Sequence, residues 1–196
     1  MGNLLKVVFL GVAGFALLVF LTAEKPKQIL ANDNVVKIAK YDSIPSEYEL
    51  VGKDGKIKRE TLFKKGQETL IVVGNHDSLA VVKELPTMFN INLPYVMVAN
   101  ISSAPWFVKK MFIPGKLEDL NEGTNIPMIY DFDGDMVNAL YVTDNAKTKY
   151  AAFLLSKEGT ITKIYEGSVK EGALDGSMTK EEMKSALKPL SELIKK

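Results

Sequence analysis

The only histidine of the chain, His76, lies in the run TLIVVGNHDSLAVVKELP, Thr69 to Pro86, followed directly by Asp77 and Ser78. These three polar residues suggest different reactions. A histidine beside an aspartate is a pair of metal donors, but a tight zinc or copper site needs three or four ligands. A serine two residues from a histidine suggests a nucleophile and its base. Acyl transfer would also need an orienting acid and an oxyanion hole, and no GxSxG-type pattern accompanies the pair. Helix capping accounts for Ser78 with fewer assumptions. His76 and Asp77 are therefore read as candidate binding residues in a groove, with an ordinary exposed loop as the competing reading of His76.

Two other clusters have the right residue types. Asp131, Asp133 and Asp135 around Gly134 imitate the start of a calcium loop. The EF-hand spacing fails, because its glycine comes later and Val142 stands where a bidentate glutamate is required. A turn built by Asp and Gly is the better reading. Trp106 and Phe107, next to Lys109 and Lys110, are candidate binding residues, since tryptophan is enriched at interface hot spots. Core packing of a short amphipathic helix is the competing reading.

The sequence contains no cysteine. Thiol–disulfide exchange needs a thiolate, and no other side chain substitutes for it. Thiol peroxidase chemistry and a lipid-modified cysteine anchor are excluded on the same ground. No cofactor and no metal are expected. Lys+Arg total 25 against Asp+Glu 24, a net charge of +1, and no basic stripe offers a nucleic-acid surface.

The elements that must position these residues divide the 196-residue chain into three parts. Residues 1–23 carry an uncharged apolar run from Val7 to Ala23. Its length lies at the short end of the ~17–25 residues of a membrane span, and residues 4–23 make a longer one if Lys6 snorkels. An uncleaved anchor is favoured, with a cleaved signal peptide as the alternative. Residues 24–45 read as a tether, with a possible short strand at Val35–Ala39. Residues 46–196 form the domain.

Within the domain, Lys53-Asp54-Gly55 predicts a hairpin turn between Tyr48–Leu50 and Ile57–Thr61. Leu70–Val73 and Tyr95–Ile101 read as buried strands. A helix capped by Asp77 or Ser78 follows the first, with Pro86 kinking it. Pro105–Phe112 reads as a short helix, 114–125 as a surface loop, Ile126–Phe132 as an edge-compatible strand and Asp135–Tyr141 as a helical turn or two. Ala151–Ser156 and Thr160–Glu166 form a hairpin, and 170–178 reads as a loop. Thr179 to Glu182 is a capping box opening the last helix, which Pro189 should bend.

This order resembles that of thioredoxin-like proteins over roughly residues 46–196. Lys83-Glu84-Leu85-Pro86 resembles the segment after the CxxC pair of membrane-tethered TlpA/ResA-type thioredoxins. Ile126 to Gly134 followed by Asn138 to Val142 is similar to a further stretch of that family and of peroxiredoxin-like proteins. Phe153 to Ile161 resembles their strand–turn–strand segment. The resemblance implies a thioredoxin-like α/β fold, a mixed-sheet sandwich with helices on both faces, preceded by the N-terminal apolar helix. In that alignment Ser78 and Val81 stand at the two cysteine positions and Tyr150 at the cis-proline. A cis bond before a residue other than proline costs ~3–4 kcal/mol, so Tyr150 is expected to be trans. The combination is similar to the cysteine-free, periplasmic YtfJ-like family. Ser103 to Lys110 and Gly176 to Glu182 fit that comparison.

The expectation is a non-catalytic domain on the periplasmic side of a bacterial inner membrane, single-pass and acting by binding. Its partner would be a protein of the membrane or periplasm, with the membrane itself engaged through residues 4–23. The alternatives are a soluble periplasmic ligand-binding protein, or a hydrolase using His76 and Ser78 in the former redox groove.

Overall fold

The computed structural model describes residues 38–195, so the expected anchor and most of the tether lie outside the described residues. Eight strands are described: β1 (Ala39–Lys40), β2 (Glu47–Glu49), β3 (Lys56–Lys58), β4 (Thr69–Gly74), β5 (Tyr95–Asn100), β6 (Met128–Asp131), β7 (Lys149–Leu155) and β8 (Thr160–Ser168). The helices are α1 (Arg59–Leu62), α2 (His76–Val82), α3 (Leu85–Phe89), α4 (Trp106–Met111), α5 (Ile113–Asn121), α6 (Asp135–Ala139) and α7 (Lys180–Ile194).

The main sheet has the order β1-β8-β7-β4-β5-β6. β4 and β5 are buried along their whole length because neighbours flank them and layers cover both faces. β4 runs parallel to β5 and antiparallel to β7, and β6 is parallel to β5. This central strand, with parallel partners on one side and an antiparallel hairpin on the other, is a thioredoxin-like arrangement. β6 closes one edge as expected. Leu50 bridges to Ile129, and Val51 N–H donates to Met128 O at 2.9 Å, which covers part of that edge.

Alternation along β4 sends Leu70 and Val72 to one face and Ile71 and Val73 to the other. The first face packs under α2, α3, α5 and α7 through Leu79, Leu85, Leu117 and Leu187. The second is covered mainly by the β2–β3 hairpin, Tyr41, Phe63 and α6, so it carries only short helices. Each large apolar side chain withdrawn from water contributes about 1.5–3 kcal/mol. Both layers therefore hold the ends of β4 and β5 in place, and those ends position the candidate site.

Several elements differ from the sequence reading. Residues 39–45, read as the end of the tether, belong to the fold: Tyr41 and Ile44 are buried, and Ala39 pairs with Ile161. Arg59 clamps this entry by donating from Nη1 to Tyr41 O at 2.9 Å and Ile44 O at 3.1 Å. The expected strand to Thr61 gives way to helix at Arg59. Pro86 does not kink one helix. The chain breaks between α2 and α3, and Pro86 takes an early position in α3, where a missing N–H costs nothing. The stretch 114–125, expected to be loop, is mostly α5.

Candidate functional site

The turn after β4 is built by Asn75. Its extended backbone precedes α2, and its Oδ1 accepts from His76 N–H at 2.9 Å. Asn75, rather than Asp77 or Ser78, is thus the N-cap. Ser78 completes the cap from inside the first turn: its Oγ accepts from Asn75 N–H at 2.8 Å and donates to Asn75 O at 2.7 Å. Its own N–H donates to Lys147 O at 3.0 Å. Gly74 is required here, since a Cβ on it would stand 2.8 Å from Ser78 Oγ. Ser78 and Val81 are fully buried, Val81 among the apolar core.

Asp77, expected to be a binding handle, is 3% exposed and put to structural use. Its Oδ2 accepts from Gly172 N–H at 3.1 Å and its Oδ1 from Leu174 N–H at 3.0 Å. It ties α2 to the short helical turn Ala173–Asp175 in the stretch read as loop. His76 is exposed, with a positive φ of 21° that non-glycine residues seldom adopt. The hydrogen bonds of Ser78 Oγ go to Asn75 and not to His76.

Tyr150 opens β7 opposite Gly74 and beside Gly167. No cis peptide occurs among the described residues, so Tyr150 is trans. Its ring packs against Gly167, where a Cβ would come within 2.4 Å of Cζ. Its hydroxyl donates to Ala186 O of α7 at 3.3 Å, and burial raises the phenol above its ordinary pKa. Ser78, Val81 and Tyr150 are thus all packed, buried side chains.

Two hollows flank this end of the sheet. One, of about 390 Å³, is polar and bordered by Asp144, Lys149, Glu166 and Ser185. The other, of about 260 Å³, is an apolar groove walled by Val108, Phe112, Ile113, Leu117 and Leu120, with His76 and Lys116 at its border. Asn100, the last residue of β5, borders both. It is 3% exposed, and its Oδ1 has no hydrogen-bond partner among the described residues. An unmet buried acceptor costs about 1–3 kcal/mol.

Beside the groove stands an apolar ridge. Trp106 is 55% exposed, Met111 73% and Phe112 53%. Phe107, half-buried, meets the Trp106 ring edge-on at a centroid distance of 6.3 Å. Lys109 fixes the helix from below. It is fully buried, its Nζ donates to Phe132 O at 3.0 Å and Ser102 O at 3.2 Å, and it lies 4.4 Å from the Phe132 ring centre. Tyr130 adds a hydrogen bond to Lys109 O. α4 is therefore held by its lysine and presents its tryptophan to solvent, the opposite of the core-packing reading of Trp106.

The aspartate cluster is a turn with a cap. Asp131 accepts from Met136 N–H at 3.1 Å and Val137 N–H at 2.9 Å, closing the start of α6. Met111, Phe112 and Asn100 were not anticipated from the sequence. Apolar positions Ile113, Leu117 and Leu120 at helical spacing were the available signal for α5, masked by Pro114 and Gly115.

No family model matches the chain, and no curated protein matches it. Among solved structures it is similar to a conserved protein from Geobacillus kaustophilus, at 18% identity and TM-score 0.46, covering 81% of this chain and 84% of that one. It is also similar to the bacterioferritin comigratory protein of Xanthomonas campestris, at 15% identity and TM-score 0.43, covering 81% and 99%. A secreted disulfide oxidoreductase of Mycobacterium tuberculosis is similar at 13% identity and TM-score 0.39, covering 84% and 98%. The strand order and helix placement of the chain are thioredoxin-like.

Proposed function

We propose that the protein is a non-catalytic, thioredoxin-like binding domain that serves as an accessory subunit of an inner-membrane or envelope complex. The observation that carries this reading is the exposed ridge of Trp106, Met111 and Phe112 beside an apolar groove. Large apolar side chains left in water on one short segment are the kind of surface found at interaction sites. The absence of cysteine removes thiol chemistry, and the closed hydrogen bonding of Ser78 disfavours its use as a nucleophile. In this reading the apolar run Val7–Ala23 holds the domain on the periplasmic face of the membrane. The proposed kinship with the TlpA/ResA-type and YtfJ-like proteins rests on the element order and on the stretches Lys83–Pro86, Ile126–Gly134 and Phe153–Ile161.

The test is purification of a C-terminally tagged copy from membranes in mild detergent, followed by size exclusion and mass determination. A stoichiometric protein partner on a full-length chain supports the reading. A lone monodisperse protein argues against the accessory role, and loss of about 23 residues from the N-terminus would remove the anchor.

A further inference from the structure

The groove between α4, α5 and the start of α2 has a volume of about 260 Å³. That is below the ~300–1,000 Å³ of pockets that engulf a small molecule. An open apolar trough of this size suits one or two anchoring side chains from a macromolecular partner. Helix-in-groove recognition works this way, with apolar anchors one turn apart.

The charges choose among partners. Among the described residues no carboxylate borders the groove, and Lys116 is the lysine on its wall. Lys110 adds an exposed cation on α4, the helix that carries the ridge. The acids of α5 face elsewhere: Glu118 and Asp119 border different hollows, on the side of Val51 and Gly52. α5 is thus charge-segregated, basic towards the groove and acidic away from it. A segment offering an apolar side chain and a carboxylate meets both conditions. A bilayer surface would engage the convex ridge but would leave the groove unfilled.

We propose that this groove binds an acidic, amphipathic segment of a partner protein, with a large apolar side chain against Phe112, Ile113 and Leu117 and a carboxylate at Lys116. The proposal rests on the binding reading above and specifies its site and chemistry.

The test places a photoreactive benzoylphenylalanine at Phe112 of the full-length protein in its native cells, and a second one at Thr162, exposed on β8, as control. Cross-linked peptides are sequenced by mass spectrometry, with and without Lys116→Glu. The expected adduct joins Phe112 to a segment that carries carboxylates within one helical turn of the attachment point. Lys116→Glu is expected to cut its yield by about tenfold or more, because like charges brought together at an interface are strongly disfavoured, while the thermal melt is unchanged. Lipid adducts alone, a partner segment without carboxylates, or a yield unaffected by Lys116→Glu would each overturn the proposal. Protein adducts from Thr162 but not Phe112 sink this site and leave the binding reading standing; none from either position sinks both.

Discussion

Asp77 and His76 are neighbours in sequence with opposite fates. His76 faces solvent, whereas the Asp77 carboxylate is buried and accepts two backbone N–H groups from residues almost a hundred positions away. A polar residue after a strand looks like a binding handle, and nothing in the local pattern shows that its partners are Gly172 and Leu174. Asp77→Ala would leave both N–H groups unmet. Hydrogen bonds to a charged acceptor contribute about 1.5–3 kcal/mol each and are not additive, so a loss of about 2–4 kcal/mol is expected. Urea denaturation measures it, and a change below ~0.5 kcal/mol would contradict the structural role. Ser78 was legible as a capping residue, but its place in the third helical position, with Asn75 as the cap itself, was not. The cap needs backbone geometry that Ser, Asp and Asn can each satisfy.

At the scale of elements, the strand–turn–helix at β4–α2 was readable because a fully apolar run followed by cap residues has few other uses. α5 was not, because proline and glycine near a helix start read equally well as loop. The β6–α6 turn shows how an element sets a titration. Burial of Asp131 raises its pKa, and the N–H bonds from Val137 and Met136 oppose that shift without cancelling it. A carboxyl raised on folding contributes stability that is complete below its unfolded pKa and is lost as pH rises through the folded value. The stability of the protein relative to Asp131→Asn is therefore expected to fall as pH climbs above the ordinary carboxyl range of ~4. Urea melts of both proteins between acidic and neutral pH check the sign; a difference that grows with pH would contradict it.

Across the whole molecule, the end of the sheet that holds Ser78, Val81 and Tyr150 is closed from three directions. Ser78 closes it through the cap, Val81 through the core and Tyr150 through its contacts with β8 and α7. Installing cysteines at positions 78 and 81 is therefore not expected to create a working dithiol. Both sites are fully buried, so native-state labelling by a thiol reagent should be limited by unfolding, and the double variant should not reduce insulin disulfides. Rapid labelling of the folded double variant would show that the locus opens.

What the sequence by itself determined was chemical exclusion and local form. Without cysteine there is no thiolate, whatever the fold. Uniformly apolar strands must lie inside a covered sheet, and Thr179 with Glu182 opens the last helix as its capping box requires. Only the tertiary structure decided burial against pattern. It put the Lys109 ammonium inside on backbone carbonyls, left Asn100 Oδ1 without a donor among the described residues, and set Trp106, Met111 and Phe112 in water. The physical reason is that local periodicity shows which residues share a face, whereas burial depends on the distant elements that come to cover it.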